Sequence, residues 1–183
     1  TTGASNSAFG YMSLRFNTTG VNNVSVGLQA LYVNTGGYNN VAIGNAALAA
    51  NTIGINNVAV GHNSLITNVA GYANTAVGFQ ALENNTTNFN SAFGYRALRA
   101  NTFGKYNTAV GYLSLTTNTI GANNTAVGMH ALLSNTTGNN NSAFGYGTLK
   151  ANTIGLRNNA FGVYALQNNT TGNSNTAVGY LSL

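Results

Sequence analysis

The chain has 183 residues, and seven of them carry a formal charge: Arg15, Arg96, Arg99, Lys105, Lys150 and Arg157 against the single acid Glu83. A charged fraction of 4%, where average globular domains have about 25%, together with one carboxylate and no cysteine, excludes paired-carboxylate hydrolysis, a Ser-His-Asp triad and a carboxylate-rich calcium loop. Asparagine stands where charge would be, with 34 residues.

Composition rich in Asn, Gly, Ser and Thr suggests disorder, but the apolar fraction of 44% is too high and too regularly placed for that. The glycine of a recurring Ala-Val/Phe-Gly falls at Gly10, Gly27, Gly44, Gly61, Gly78, Gly94, Gly111, Gly128, Gly145, Gly162 and Gly179. These anchors are 17 residues apart nine times and 16 apart once, between Gly78 and Gly94. Ordering so short a unit costs about 1–2 kcal/mol per residue, and burying its one Leu and one Val or Phe returns about 1.5–3 kcal/mol each. The units must therefore stack on one another.

Taken in chain order, each unit opens on an asparagine: Asn6, Asn23, Asn40, Asn57, Asn74, Asn90, Asn107, Asn124, Asn141, Asn158 and Asn175. The Asn-Thr-Ala-Val-Gly that follows predicts one strand of about four residues, bounded by turn formers. Next comes Tyr-x-Ala-Leu, which suits either one helical turn or a second bent strand. Its leucine recurs without exception, at Leu14, Leu31, Leu48, Leu65, Leu82, Leu98, Leu115, Leu132, Leu149, Leu166 and Leu183, and predicts a core ladder. A turn asparagine follows at Asn17, Asn34, Asn51, Asn68, Asn85, Asn101, Asn118, Asn135, Asn152 and Asn169. The Asn-Thr-Thr/Ile-Gly around it is turn chemistry, with Gly20, Gly37, Gly54 and their counterparts expected to take positive φ. The short unit lacks that glycine, and Asn88 is expected to supply the left-handed residue. The predicted architecture is all-β: a parallel β-solenoid of eleven coils, each advancing about 4.8 Å, in a rod roughly 50 Å long. Stacked asparagines then form amide ladders, each donating to one neighbour and accepting from the other.

The segments Asn23-Val24-Ser25-Val26-Gly27, Asn40-Val41-Ala42-Ile43-Gly44 and Asn57-Val58-Ala59-Val60-Gly61 are similar to the head repeats of YadA-like trimeric autotransporter adhesins. That resemblance implies a left-handed parallel β-roll, three chains side by side, and a surface-exposed adhesive role. The longer unit, with Asn-Thr-Thr-Gly and Gly-Tyr-x-Ala-Leu, also resembles repeat arrays of phage and large-virus tail-fibre or surface-fibre proteins.

Candidate sites are few. His62 and His130 lie four units apart and cannot share a metal, so no metal or cofactor site is expected. An aromatic row, Tyr11, Phe79, Tyr95, Tyr112, Tyr146 and Tyr180, could stack sugars or bases or could serve packing. The threonines after the turn asparagine (Thr18, Thr35, Thr52, Thr86, Thr102, Thr119, Thr136, Thr153 and Thr170, broken by Val69) suggest an ice-binding row, but a second row pointing the same way is missing beside them. Sequons at Asn17, Asn23, Asn85 and Asn135 fit chance in an Asn- and Thr-rich chain. The basic residues occupy four different places in the unit, which argues against a nucleic-acid groove. They fall where the repeat varies, making Arg96, Arg99, Lys105, Lys150 and Arg157 the candidate surface contacts. No apolar run approaches the ~20 residues of a spanning helix.

Residues 1–183 read as a single repeat array that begins within a turn and stops within a unit, as a segment of a longer fibre protein or an end-to-end filament would. The expected function is a non-enzymatic structural or adhesive module of an extracellular, cell-surface or virion-surface fibre. Its expected partners are copies of itself, as a trimer or filament, and a host-surface glycan or protein. The alternative is a ligand-binding solenoid for glycans or ice.

Overall fold

The computed structural model describes residues 2–183. Each unit contributes one three-residue strand: β1 (Ser7–Phe9), β2 (Val24–Val26), β3 (Val41–Ile43), β4 (Val58–Val60), β5 (Thr75–Val77), β6 (Ser91–Phe93), β7 (Thr108–Val110), β8 (Thr125–Val127), β9 (Ser142–Phe144), β10 (Asn159–Phe161) and β11 (Thr176–Val178). These form one parallel sheet in sequence order. Equal places pair throughout: Ala42 lies beside Ala59, and across the short unit Ala76 lies beside Ala92. The chain is a parallel β-solenoid in which each unit is one coil, numbered by its strand.

Because side chains alternate along a strand, the middle residue points inward and its neighbours outward. The inward place is alanine in every coil except coil 2, where Ser25 stands, and Ala42 to Ala160 in this row are fully buried. Opposite it, Leu31 to Leu149 are also fully buried, Leu166 nearly so, and Leu14 packs against the same core. Leu183, the last residue of the sequence, is 82% exposed.

The segment between strand and turn is neither of the two predicted elements. Its second and fourth residues are left-handed, as at Gln29 (φ 56°) and Leu31 (φ 47°). This alternation turns the amides of the two left-handed residues toward opposite neighbours: Gln29 N–H donates to the Tyr11 carbonyl of the coil before, Leu31 N–H to the Ala47 carbonyl of the coil after, both at 3.0 Å. Bonds between coils thereby alternate with short turn bonds inside the coil, such as Asn34 N–H to the Leu31 carbonyl at 3.2 Å. A left-handed leucine costs on the order of 1–2 kcal/mol, which the ~1.5–3 kcal/mol from burying it offsets.

Two expectations about the glycines are corrected. Positive φ belongs to the anchor glycines, from 125° at Gly10 to 137° at Gly78, and the turn glycines do not share it. A turn glycine is required by space: a Cβ on Gly37 would lie 2.5 Å from the Gly54 carbonyl oxygen and 2.6 Å from Asn51 Nδ2. In the short coil the left-handed residue is Phe89 (φ 62°), not Asn88. Phe89 precedes the strand-side asparagine, a place that is left-handed in every coil, as at Asn22, Asn39 and Asn56.

Candidate functional site

Two asparagine ladders fill the turn end of every coil. On the strand side, Asn40 Nδ2 donates to Asn23 Oδ1 of the preceding coil (3.1 Å) and to the Gly54 carbonyl of its own turn (2.8 Å). Its backbone N–H also donates to Asn23 Oδ1, at 3.0 Å. On the turn side, Asn51 Nδ2 donates to Asn34 Oδ1 (2.8 Å) and to the same Gly54 carbonyl (3.1 Å). One glycine carbonyl therefore receives both asparagines, and in this coil each amide is bonded along the rod and across the coil. A Cβ at the turn glycine would push into this hub, which is why the turn glycine recurs. Fully buried polar groups are stable here only because they are fully paired.

The sequons at Asn17, Asn23, Asn85 and Asn135 all lie in these ladders, the last three fully buried with their Nδ2 groups donating. The threonine hydroxyls after the turn asparagine are likewise engaged: Thr35 Oγ1 donates to the Thr52 carbonyl (3.2 Å) and Thr136 Oγ1 to that of Thr153 (3.1 Å). A double row with both members pointing outward exists on the strands instead. There Thr75, Thr108 and Thr125 stand beside Val77, Val110 and Val127, and the rings of Phe93 and Phe144 interrupt the surface.

The outward residue that ends each strand is Val, Ile or Phe in all eleven coils, with Ile43, Phe93, Val110, Phe144 and Phe161 exposed. Beside this row, across the anchor glycine, runs the aromatic row. His62, Phe79, Tyr95 and Tyr112 stack in parallel with centroids 5.2–5.3 Å apart. Their faces cover one another, leaving ring edges to solvent. His130 lies tilted between Tyr112 and Tyr146. Tyr164 crosses Tyr146 edge-on, and the neighbouring Tyr146 hydroxyl raises the Tyr164 pKa above the ordinary tyrosine value. A third apolar line follows the turns, where Ile53, Phe103, Ile120 and Ile154 are exposed.

The candidate contact residues divide into two groups. Arg96 and Arg99 are joined to coil 5: Arg99 Nε donates to Glu83 Oε2 at 2.6 Å, Gln80 Nε2 to Glu83 Oε1 at 2.7 Å, and Arg96 Nε to Gln80 Oε1 at 2.7 Å. The Arg96 guanidinium also lies over the Tyr95 ring, 5.0 Å from its centroid. Lys105 and Arg157 are exposed and Lys150 half-buried, and none joins this cluster. Sequence reasoning treated the arginines singly and missed the network. Its signal was present, since Gln80 and Arg96, and Glu83 and Arg99, hold the same places in successive units.

Among the described residues no three metal-ligating side chains come together, and no helix is long and apolar enough to cross a membrane. Comparison with protein-family models, curated proteins and solved structures finds no match.

Proposed function

We propose that the chain is a non-catalytic structural module, a stiff rod in an extracellular or virion-surface fibre, which packs side by side with further copies of itself. The observation that carries this reading is the nearly uncharged outer face of the sheet, with its unbroken Val, Ile or Phe row and the aromatic row alongside. About 50 Å long and about 15 Å wide, that face offers roughly 750 Å². A specific interface needs ~800 Å² per partner. Arg96, whose guanidinium lies over Phe79 and Tyr95, is the one charged residue at the edge of the face, so parallel copies meet there without ladders of like charge. The exposed patch exceeds what a soluble monomer ordinarily leaves to water. Three copies is the number that the adhesin resemblance implies, and a cell-surface or virion partner would be met by the variable residues, Lys105, Lys150 and Arg157 among them.

Sedimentation of the purified chain tests the reading. Discrete oligomers or laterally packed rods are expected, and Val110→Lys with Val127→Lys should release folded single rods. Wild-type rods that stay monomeric as concentration rises would sink the proposal.

A further inference from the structure

Tyrosine is the readily oxidised side chain that this molecule has in quantity. The chain has ten tyrosines and neither cysteine nor tryptophan, and its two methionines are oxidised by taking up oxygen, to the sulfoxide. A tyrosine instead loses one electron together with its hydroxyl proton, and the fate of the phenoxyl radical then depends on which ring lies beside it.

Beside most tyrosines lies a ring that cannot couple. Tyr32 meets Phe16, Tyr72 and Tyr106 both meet Phe89, and His130 stands between Tyr112 and Tyr146. Among the described residues two ring contacts join tyrosine to tyrosine. Tyr146 and Tyr164 cross at 80°, an arrangement that does not set ortho carbon against ortho carbon. Tyr95 and Tyr112 lie parallel, their planes within 11° and their centroids 5.2 Å apart.

The solenoid holds this second pair in register. Both rings follow an anchor glycine, and the backbone on either side of Tyr112 is tied to coil 6: Gly111 N–H donates to the Phe93 carbonyl at 2.8 Å and Leu113 N–H to the Tyr95 carbonyl at 3.0 Å. Phe79 stacks on the other face of Tyr95, so Tyr112 is the one phenol that the Tyr95 ring touches. Tyr95 and Tyr112 are 36% and 46% exposed, which opens their hydroxyl edges to an oxidant in solution. Groups held in contact react far faster than groups that must first meet by diffusion.

We propose that Tyr95 and Tyr112 form an oxidative cross-linking site, which a haem peroxidase acting with hydrogen peroxide converts to dityrosine. Each phenol gives up one electron and its hydroxyl proton. A carbon–carbon bond then forms between one Cε of each ring, and the hydrogens on those two carbons move to the two oxygens, restoring both hydroxyls. The two electrons and two protons lost reduce one peroxide to two waters. The product ties coil 6 to coil 7 covalently and restricts the unfolded chain as a disulfide does. Both tyrosines belong to one rod, so the site does not depend on side-by-side packing.

The test uses the intact chain, oxidised at low concentration with peroxidase and peroxide. The product should run as a single chain under denaturing conditions, and peptide mapping should find one main link, Tyr95 to Tyr112, in a joined peptide lighter than its two parts by two hydrogens. Tyr112→Phe keeps the stack without the second phenol and should abolish this link, whereas Tyr106→Phe should leave it unchanged. Oxidation in denaturant should scatter the links over all the tyrosines. No link within the folded chain, a link centred on Tyr146 and Tyr164, or an even spread over the tyrosines overturns the inference; the wild-type map decides this on its own, so a variant that fails to fold leaves the test intact.

Discussion

The two ends of each coil bury their side chains by different physics. At one end alanine and leucine are held by contact alone, and the place before the leucine drifts between Ala, Ser and Thr, as at Ala97, Ser114 and Thr148. At the other end the two asparagines and the turn glycine hardly vary, because each amide has four directional obligations and the glycine hydrogen fits where no methyl could. The apolar end supplies most of the stabilisation, while the asparagine end sets the register of one coil on the next. Coil 5 shows the consequence: it loses one residue at the asparagine end, its strand still pairs in register with β4 and β6, and one buried amide oxygen, Asn68 Oδ1, is left without a partner.

The sharpest way to break the comparison is to place a charge at the apolar end. Leu98→Asp or Leu115→Asp buries an unpaired carboxylate that no neighbour can bond. Loss of the folded state by circular dichroism is expected, and a folded variant would refute the core assignment. At the polar end Asn118→Ala strips the donor from Asn101 Oδ1 and the acceptor from Asn135 Nδ2. Two unmet buried groups cost about 1–3 kcal/mol each, so denaturant unfolding should show a loss of about 2–6 kcal/mol with the fold retained. Outside both ends the effects shrink and can change sign. Ala73 is left-handed (φ 54°) at a place where Asn39 and Asn56 bond to each other at 3.2 Å. Ala73→Asn should therefore stabilise by about 0.5–1 kcal/mol. Arg96→Ala removes one surface hydrogen bond and a ring contact and should shift stability by less than about 1 kcal/mol; a loss as large as that of Asn118→Ala would make the surface network part of the core.

Much of this was legible before any coordinates. Leucine and asparagine at fixed places in every unit announced the two ladders, since a buried row admits no drift. The outward strand row was not legible: the Val or Phe of each unit was expected in the core beside the leucine, whereas the pleat turns the strand's middle alanine inward and the Val, Ile or Phe outward. The left-handed leucines were not legible, because leucine has no preference for that conformation and accepts it only under the pull of burial and of bonds to both neighbouring coils. Nor was the role of Thr87, whose carbonyl stands in for the turn glycine's and accepts from Asn74 and Asn85, because that depends on where a shortened turn relocates it.

The sequence by itself determined the period, the single strand per coil and the stacking of like on like, because in a solenoid equal places in successive units become spatial neighbours. Only the tertiary structure decided which glycine is needed for its φ and which for its missing Cβ, how Gln80, Glu83, Arg96 and Arg99 join, and where the asparagine ladder breaks. Those outcomes rest on distances of a few tenths of an ångström between coils, which the order of residues along the chain does not encode directly.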